Sequence, residues 1–237
     1  MKRRDLLKGT LAAGAALAVT PVRAQVPAAP IALNPRDRRL FAIAQEQLAR
    51  HGAGLWARDV VGVADFGLRS SDPRLHYVDF ERGVVDSYRV AHGMGSDPEH
   101  DGWLNFFSNV HESWCTSKGA YMTFGWYTGK YGTSIRLEGR DPTNSNALDR
   151  AIVMHRAGYC EPSHLAQYGK LGRSNGCFAM SDEDFKLALL RLAGGRLLYA
   201  DKIGIGPNGE QVTEPPKGLQ LLIPESTPQP PLVPGAF

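Results

Sequence analysis

Cysteine is scarce in this chain: three residues in 237, Cys115, Cys160 and Cys177, with no spacing that would build a structural metal site. An odd count leaves one thiol outside any disulfide pairing, which suits a reactive residue. Cys115 with Cys160, or Cys160 with Cys177, are the two pairings that an oxidising compartment would favour. The sequence has no internal repeat and no His-Glu-x-x-His pattern for a helical zinc site. It also lacks a long apolar run: the stretch from Gly9 to Val19 has 11 residues and is rich in Ala and Gly, against the roughly 20 that span a bilayer as a helix. No stable membrane anchor is expected.

Positive charge is concentrated at one end. Residues 1–24 carry Lys2, Arg3, Arg4, Lys8 and Arg23 against Asp5, a net +4, so the formal +3 of the whole chain becomes −1 for the remaining 213 residues. No lysine-rich run or arginine stripe follows, which sets nucleic acid aside as a partner. The adjacent arginines in Lys2-Arg3-Arg4-Asp5-Leu6-Leu7-Lys8, the short apolar stretch and the small-residue end at Val22-Arg23-Ala24 resemble a twin-arginine export signal, cleaved after Ala24. The expected location is the periplasm. Residues 25–33, with Pro27 and Pro30, read as a linker, and 206–237, with seven prolines from Pro215 onward, as an extended tail.

The chemistry is concentrated in Gly172-Arg173-Ser174-Asn175-Gly176-Cys177, 22 residues beyond His155, which ends the apolar run Ala151-Ile152-Val153-Met154. A thiolate is a strong nucleophile, and an imidazole near it can take the thiol proton and stabilise the anion. Gly176 permits close approach of backbone and substrate, and amides around Gly176-Cys177 are candidates for donation to an oxyanion. The alternative reading is a half-buried structural thiol on a glycine turn.

Between these ends the pattern is mainly β with flanking helices. Asn34 as N-cap, Pro35 at the first helical position and apolar Leu40, Phe41, Ile43, Ala44 and Leu48 predict a helix over 34–52. The main domain is expected over 53–205. Val60 to Phe66, Leu75 to Phe80 and Val84 to Ala91 read as a β-meander; Met122 to Trp126, Ser134 to Leu137, Ala151 to His155 and Leu197 to Tyr199 read as further strands. Ser181 is a candidate N-cap for a helix over about 182–192 that buries Phe185, Leu187, Leu189 and Leu190 and stops at Gly194-Gly195.

A series of ordered segments carries a resemblance: "ADF" at 64–66, "YRVAHGMGS" at 88–96, "FFSN" at 106–109, "GTSIRLEG" at 132–139, "NSNALDRAIVMH" at 144–155 and "GKLGRSNGC" at 169–177. Together they resemble the murein L,D-transpeptidase catalytic-domain family, the YkuD-like cysteine peptidoglycan enzymes, in the branch with Gly-Arg-Ser-x-Gly-Cys. The resemblance implies an L,D-transpeptidase-like β-sandwich or meander, α+β overall, with a helix after the catalytic Cys. It implies that Cys177 attacks a peptidoglycan stem peptide before its terminal D-alanine and forms a thioester, that His155 is the base, and that Ser174 and Gly176 line the oxyanion side. An amine acceptor then gives a 3→3 cross-link; water gives an L,D-carboxypeptidase. Arg173, Arg136 and His92 are the candidate substrate contacts, and no cofactor or metal is implied.

The sequence departs from that pattern at three places. Asn175 stands where the commoner motif has histidine, Arg156 where glycine follows the base, and Tyr131 where this branch often has histidine. Several residues keep two readings. Ser174 is an oxyanion residue or a turn residue; His92 orients the site or bonds to backbone; Arg136, alternating with Ile135 and Leu137, binds substrate or points to solvent. Two other function classes stand beside the enzyme: a metal-dependent amidase or peptidase drawing on His92, His100, His111 or His155, and a non-catalytic wall-binding module. The oligomeric state is open.

Overall fold

The computed structural model describes residues 33–129 and 132–215. The expected leader, residues 25–32 of the linker, Tyr131 and the tail from 216 onward lie outside the described residues.

Helix α1 spans Pro35–His51 and starts where its chemistry dictates: the Asn34 side chain accepts from the Asp37 amide at 2.8 Å, and Pro35 fills the first turn, where no N–H partner exists. Leu40 and Ala44 are fully buried against the sheet, with Phe41, Ile43 and Leu48 beside them. The helix therefore belongs to the same body as the strands.

Among the described residues eight strands form one sheet: β1 Val60–Asp65, β2 Leu75–Asp79, β3 Val84–Tyr88, β4 Gly119–Gly129, β5 Gly132–Gly139, β6 Val153–Arg156, β7 Phe178–Met180 and β8 Leu197–Asp201. Their order is β3-β2-β1-β8-β4-β5-β6-β7. The first three make the expected antiparallel meander. The last strand lies inside the sheet, parallel to β1 and antiparallel to β4. Because side chains alternate along a strand, Val61 and Val63 join the cluster under α1 while Val60 and Ala64 join the larger core on the other face. Helix α3, Asp182–Arg191, closes that larger core with Phe185 and Ala188, and Ser181 caps it by accepting from the Asp184 amide at 3.2 Å. Leu190, expected to be buried, is 77% exposed, because α3 presents only one face to the sheet.

Three features differ from the sequence reading. The segment Arg89-Val90-Ala91 leaves β3, and Ala91 bridges Ala179 instead, carrying the chain toward Cys177. Strand β7 is only three residues long and gives no alternation to recognise; helix α2, Pro162–Tyr168, buries no residue and so has no apolar stripe. Residues 206–215, assigned to the tail, fold back in part: Ile205 bridges Gln211, the Val212 amide donates to the Gly204 carbonyl, and Arg39 of α1 donates to the Gly209 carbonyl at 2.7 Å.

Candidate active site

Cys177 immediately precedes β7, and His155 lies on the adjacent parallel strand β6, opposite Ala179. Phe178, the residue after Cys177, pairs with Met154, the residue before His155, so Cys177 stands at the start of β7 beside the strand that carries His155. Two residues along a strand and one strand spacing across put their Cα atoms roughly 8 Å apart, a span two side chains can close. The sulfur is half-buried and lies 3.8 Å from the Ala151 carbonyl oxygen.

The state of each partner follows from its surroundings. His155 Nδ1 is 2.9 Å from the Arg156 carbonyl oxygen, which can only accept, so Nδ1 carries the proton and Nε2 is left as a lone-pair acceptor. Burial holds the imidazole below its ordinary value, opposed by that carbonyl. Burial pushes the Cys177 thiol up, opposed by the Val153 backbone N–H and by Arg150. The pair therefore rests as thiol and neutral imidazole, the forms in which a base waits for a proton.

The loop before Cys177 is fixed by backbone and by Ser174. The Ser174 amide donates to the His92 carbonyl at 2.9 Å, and the Met94 amide donates to the Ser174 carbonyl at 2.7 Å. The buried Ser174 hydroxyl donates to the Cys177 carbonyl at 2.6 Å and accepts from the Gly176 amide at 3.1 Å. Both contacts make Ser174 the turn residue of the loop rather than an oxyanion donor, and they occupy the Gly176 amide as well. Gly176 is required by conformation and space: its φ is +112°, and a Cβ there would lie 2.7 Å from the Cys115 carbonyl oxygen. Of the amides around the nucleophile, Gly176 N–H is thus spent on the loop itself.

His92 is not a substrate contact. It is 1% exposed, with Nδ1 2.7 Å from the Arg74 guanidinium and Nε2 3.2 Å from Asp97 Oδ2. Arginine only donates, so Nδ1 accepts and Nε2–H donates to Asp97, which fixes a neutral tautomer. Burial and Arg74 hold His92 at about 4, and Asp97, which accepts from His92, Asp101 and Gly102, is held at about 2 against its own burial. Arg74, also fully buried, donates to the Val90 and Leu68 carbonyls and has its charge suppressed to about 9 by desolvation, opposed by Asp97. This trio supports the Ser174 loop from beneath.

Arg173 is likewise committed: it donates to the Asp97 and Pro98 carbonyls and ties the loop to that support. Arg136 differs. It pairs with Val153 across β5 and β6, and Ser134 pairs with His155, so Arg136 shares the face of His155. It is exposed, its guanidinium stacked 4.9 Å over the Tyr127 ring. The Arg156 side chain pairs with Asp182 at 3.0 Å, and Asn175 is exposed at the loop tip.

All three cysteines are free, with Cys115 and Cys160 buried. His100 bonds to the Leu171 carbonyl, and His111 is exposed. Among the described residues, no group of three or more His, Cys, Asp or Glu side chains could hold a metal ion, and no helix is long and apolar enough to cross a membrane.

Sequence reasoning missed Arg74, Asp97 and Arg150. Arg74 and Asp97 sit in polar loop sequence, where burial leaves no periodic signal. Arg150 stood within the segment 144–155 but drew no notice, because an arginine beside an apolar run reads as solvated.

No curated protein matches the chain. Solved structures that match include an L,D-transpeptidase from Mycobacterium smegmatis at 13% identity and TM-score 0.37, covering 60% of this chain and 58% of that one. An L,D-transpeptidase from Mycobacterium tuberculosis H37Rv matches at 17% identity and TM-score 0.37, covering 60% and 57%. An LD transpeptidase solved in complex with imipenem matches at 13% identity and TM-score 0.37, covering 60% and 59%. The chain thus spans less than two thirds of the length of each. The profile of the L,D-transpeptidase catalytic domain matches residues 37–200, from the first turn of α1 to β8, and the chain belongs to that family.

Proposed function

We propose that this chain is a cysteine L,D-transpeptidase that acts on peptidoglycan stem peptides. The observation that supports the reading is that Cys177 adjoins β7, the parallel neighbour of the strand that carries His155, with His155 Nδ1 held by the Arg156 carbonyl. Family membership supports the same class of reaction.

In this reading Nε2 takes the thiol proton as the sulfur attacks the carbonyl of the third stem residue, and an S–C bond forms. The tetrahedral intermediate collapses when the bond to the terminal D-alanine breaks; His155 returns the proton to the departing amine, leaving a thioester. The side-chain amine of a second stem then attacks, the S–C bond breaks, and the thiol is restored with a 3→3 cross-link. Arg136, exposed on the face of His155, is the cation suited to a stem carboxylate, whereas Arg173 is spent on the loop.

We also propose export to the periplasm through the arginine pair at Arg3-Arg4, which would bring the domain to its substrate.

The test is incubation of the protein with a purified tetrapeptide muropeptide, alongside Cys177→Ala, following D-alanine and the muropeptide products. Wild type alone should release D-alanine and give a dimer. Tripeptide without dimer would make the protein a carboxypeptidase, and binding by both proteins without D-alanine release would make it a non-catalytic wall-binding module.

A further inference from the structure

Arg150 lies immediately before Ala151, whose carbonyl is 3.8 Å from the Cys177 sulfur. Nη1 donates to the Ser108 carbonyl at 2.9 Å, and Nη2 donates to the Cys115 carbonyl at 2.5 Å. Ser117 and Ser113 hydroxyls lie at 3.5 and 3.4 Å. The same Cys115 carbonyl oxygen packs against Gly176, and Nη2 itself would be 3.2 Å from a Cβ at that glycine. The absence of a side chain at Gly176 is what lets the cation approach this closely.

A half-buried arginine is normally paired with a carboxylate. Among the described residues none pairs with Arg150; burial disfavours its charge, opposed by Tyr121, Cys115 and Cys177. The backbone carbonyls and hydroxyls around it supply partial negative charge only. A full positive charge is therefore held next to Gly176 without a counter-ion in the resting protein.

Strain marks the same place. Glu112, Trp114 and Ala151 have φ of +57°, +53° and +54°, and all three sit on the segments that Arg150 joins, two of them flanking its contacts at Ser113 and Cys115. Non-glycine residues in the left-handed region persist only where their surroundings hold them, and four hydrogen bonds from one guanidinium provide that hold.

We propose that Arg150 is a positioning residue for the nucleophile: it pins the Cys115 carbonyl against Gly176, and its unpaired charge stabilises the negative sulfur that forms when Cys177 gives up its proton. The inference rests on Cys177 being the nucleophile. It assigns Arg150 no contact with substrate. His155 removes the proton; Arg150 makes the resulting anion less costly in a site that otherwise disfavours it.

The experiment is residue-resolved mass spectrometry of iodoacetamide alkylation in the full chain from pH 6 to 10, with wild type, Arg150→Gln and Arg150→Lys, and circular dichroism as the folding control. In Arg150→Gln, Cys177 alkylation at pH 8 should fall by about tenfold, the size of a one-unit rise in the thiol's titration, and the profile should move to higher pH. Arg150→Lys keeps a charge but loses the planar fork, and should stay within about threefold of wild type. Equal slowing in the two variants, or no change in Arg150→Gln, overturns the charge role. If Arg150→Gln does not fold, Arg150→Lys decides alone, a tenfold loss overturning the inference. Failure of Cys177 to alkylate at any pH in wild type would instead remove the nucleophile reading, and this inference with it.

Discussion

His155 Nδ1 sits 2.9 Å from the backbone carbonyl oxygen of Arg156, the residue that follows it. The contact fixes the tautomer without any carboxylate, and it depends on the Arg156 main chain alone. The Arg156 side chain is directed to Asp182. Replacing His155 by Gln removes the base while keeping a polar side chain. D-alanine release should fall by about 10²–10⁴-fold, with muropeptide affinity changed only slightly. Retention of most activity would show that another group takes the proton.

The pH profile should reflect a neutral resting pair. Burial lowers His155 and raises Cys177, so the pair keeps its thiol and free imidazole between their titrations. The kcat/KM of the free enzyme should show a plateau that begins below the ordinary histidine value and ends above the ordinary thiol value, falling on the acid side as His155 protonates and on the alkaline side as Cys177 ionises. An acid limb that follows ionisation of the thiol rather than of the imidazole would contradict the neutral pair.

Gly176→Ala should fail for a backbone reason. The new Cβ would meet the Cys115 carbonyl oxygen at 2.7 Å, and a φ of +112° is strained for any side chain. The expected cost is about 1–3 kcal/mol of stability, read by urea denaturation, with a larger loss of D-alanine release because the sulfur moves. Unchanged activity would mean that the loop is not held as described.

How much of this was legible beforehand depends on whether a residue's role is local. The Asn34 and Ser181 caps and the meander are written in short patterns and came through. The position of β8 between β1 and β4 depends on partners more than 70 residues away and leaves no trace in Leu197–Asp201 itself. His92 and Arg173 drew notice as polar residues near the motif, yet both are spent on the support of the loop. Their commitment to the loop is a tertiary property that no local pattern carries.

Acid should destabilise the fold well above the carboxylate range. His76 and His92 are buried and neutral, held at about 3 and about 4 against 6.5. Their folded values are depressed, so the unfolded chain binds more protons below 6.5. Stability is complete above that value and is lost as pH falls toward 4. Each histidine contributes a slope of up to about 1.4 kcal/mol per pH unit in that window. Urea midpoints at pH 7, 5.5 and 4.5 should decline in step, and His92→Gln should flatten the decline. Equal midpoints at the three values would contradict the buried neutral histidines.

The central claim is that Cys177 forms a thioester with the stem peptide. Intact-protein mass spectrometry of the reduced protein, quenched in acid during turnover of a tetrapeptide muropeptide, tests it directly. The account predicts a covalent adduct of the muropeptide less its terminal D-alanine, mapped to Cys177 and absent from Cys177→Ala. An unmodified wild-type protein that still releases D-alanine, or an adduct that survives in Cys177→Ala, would contradict it.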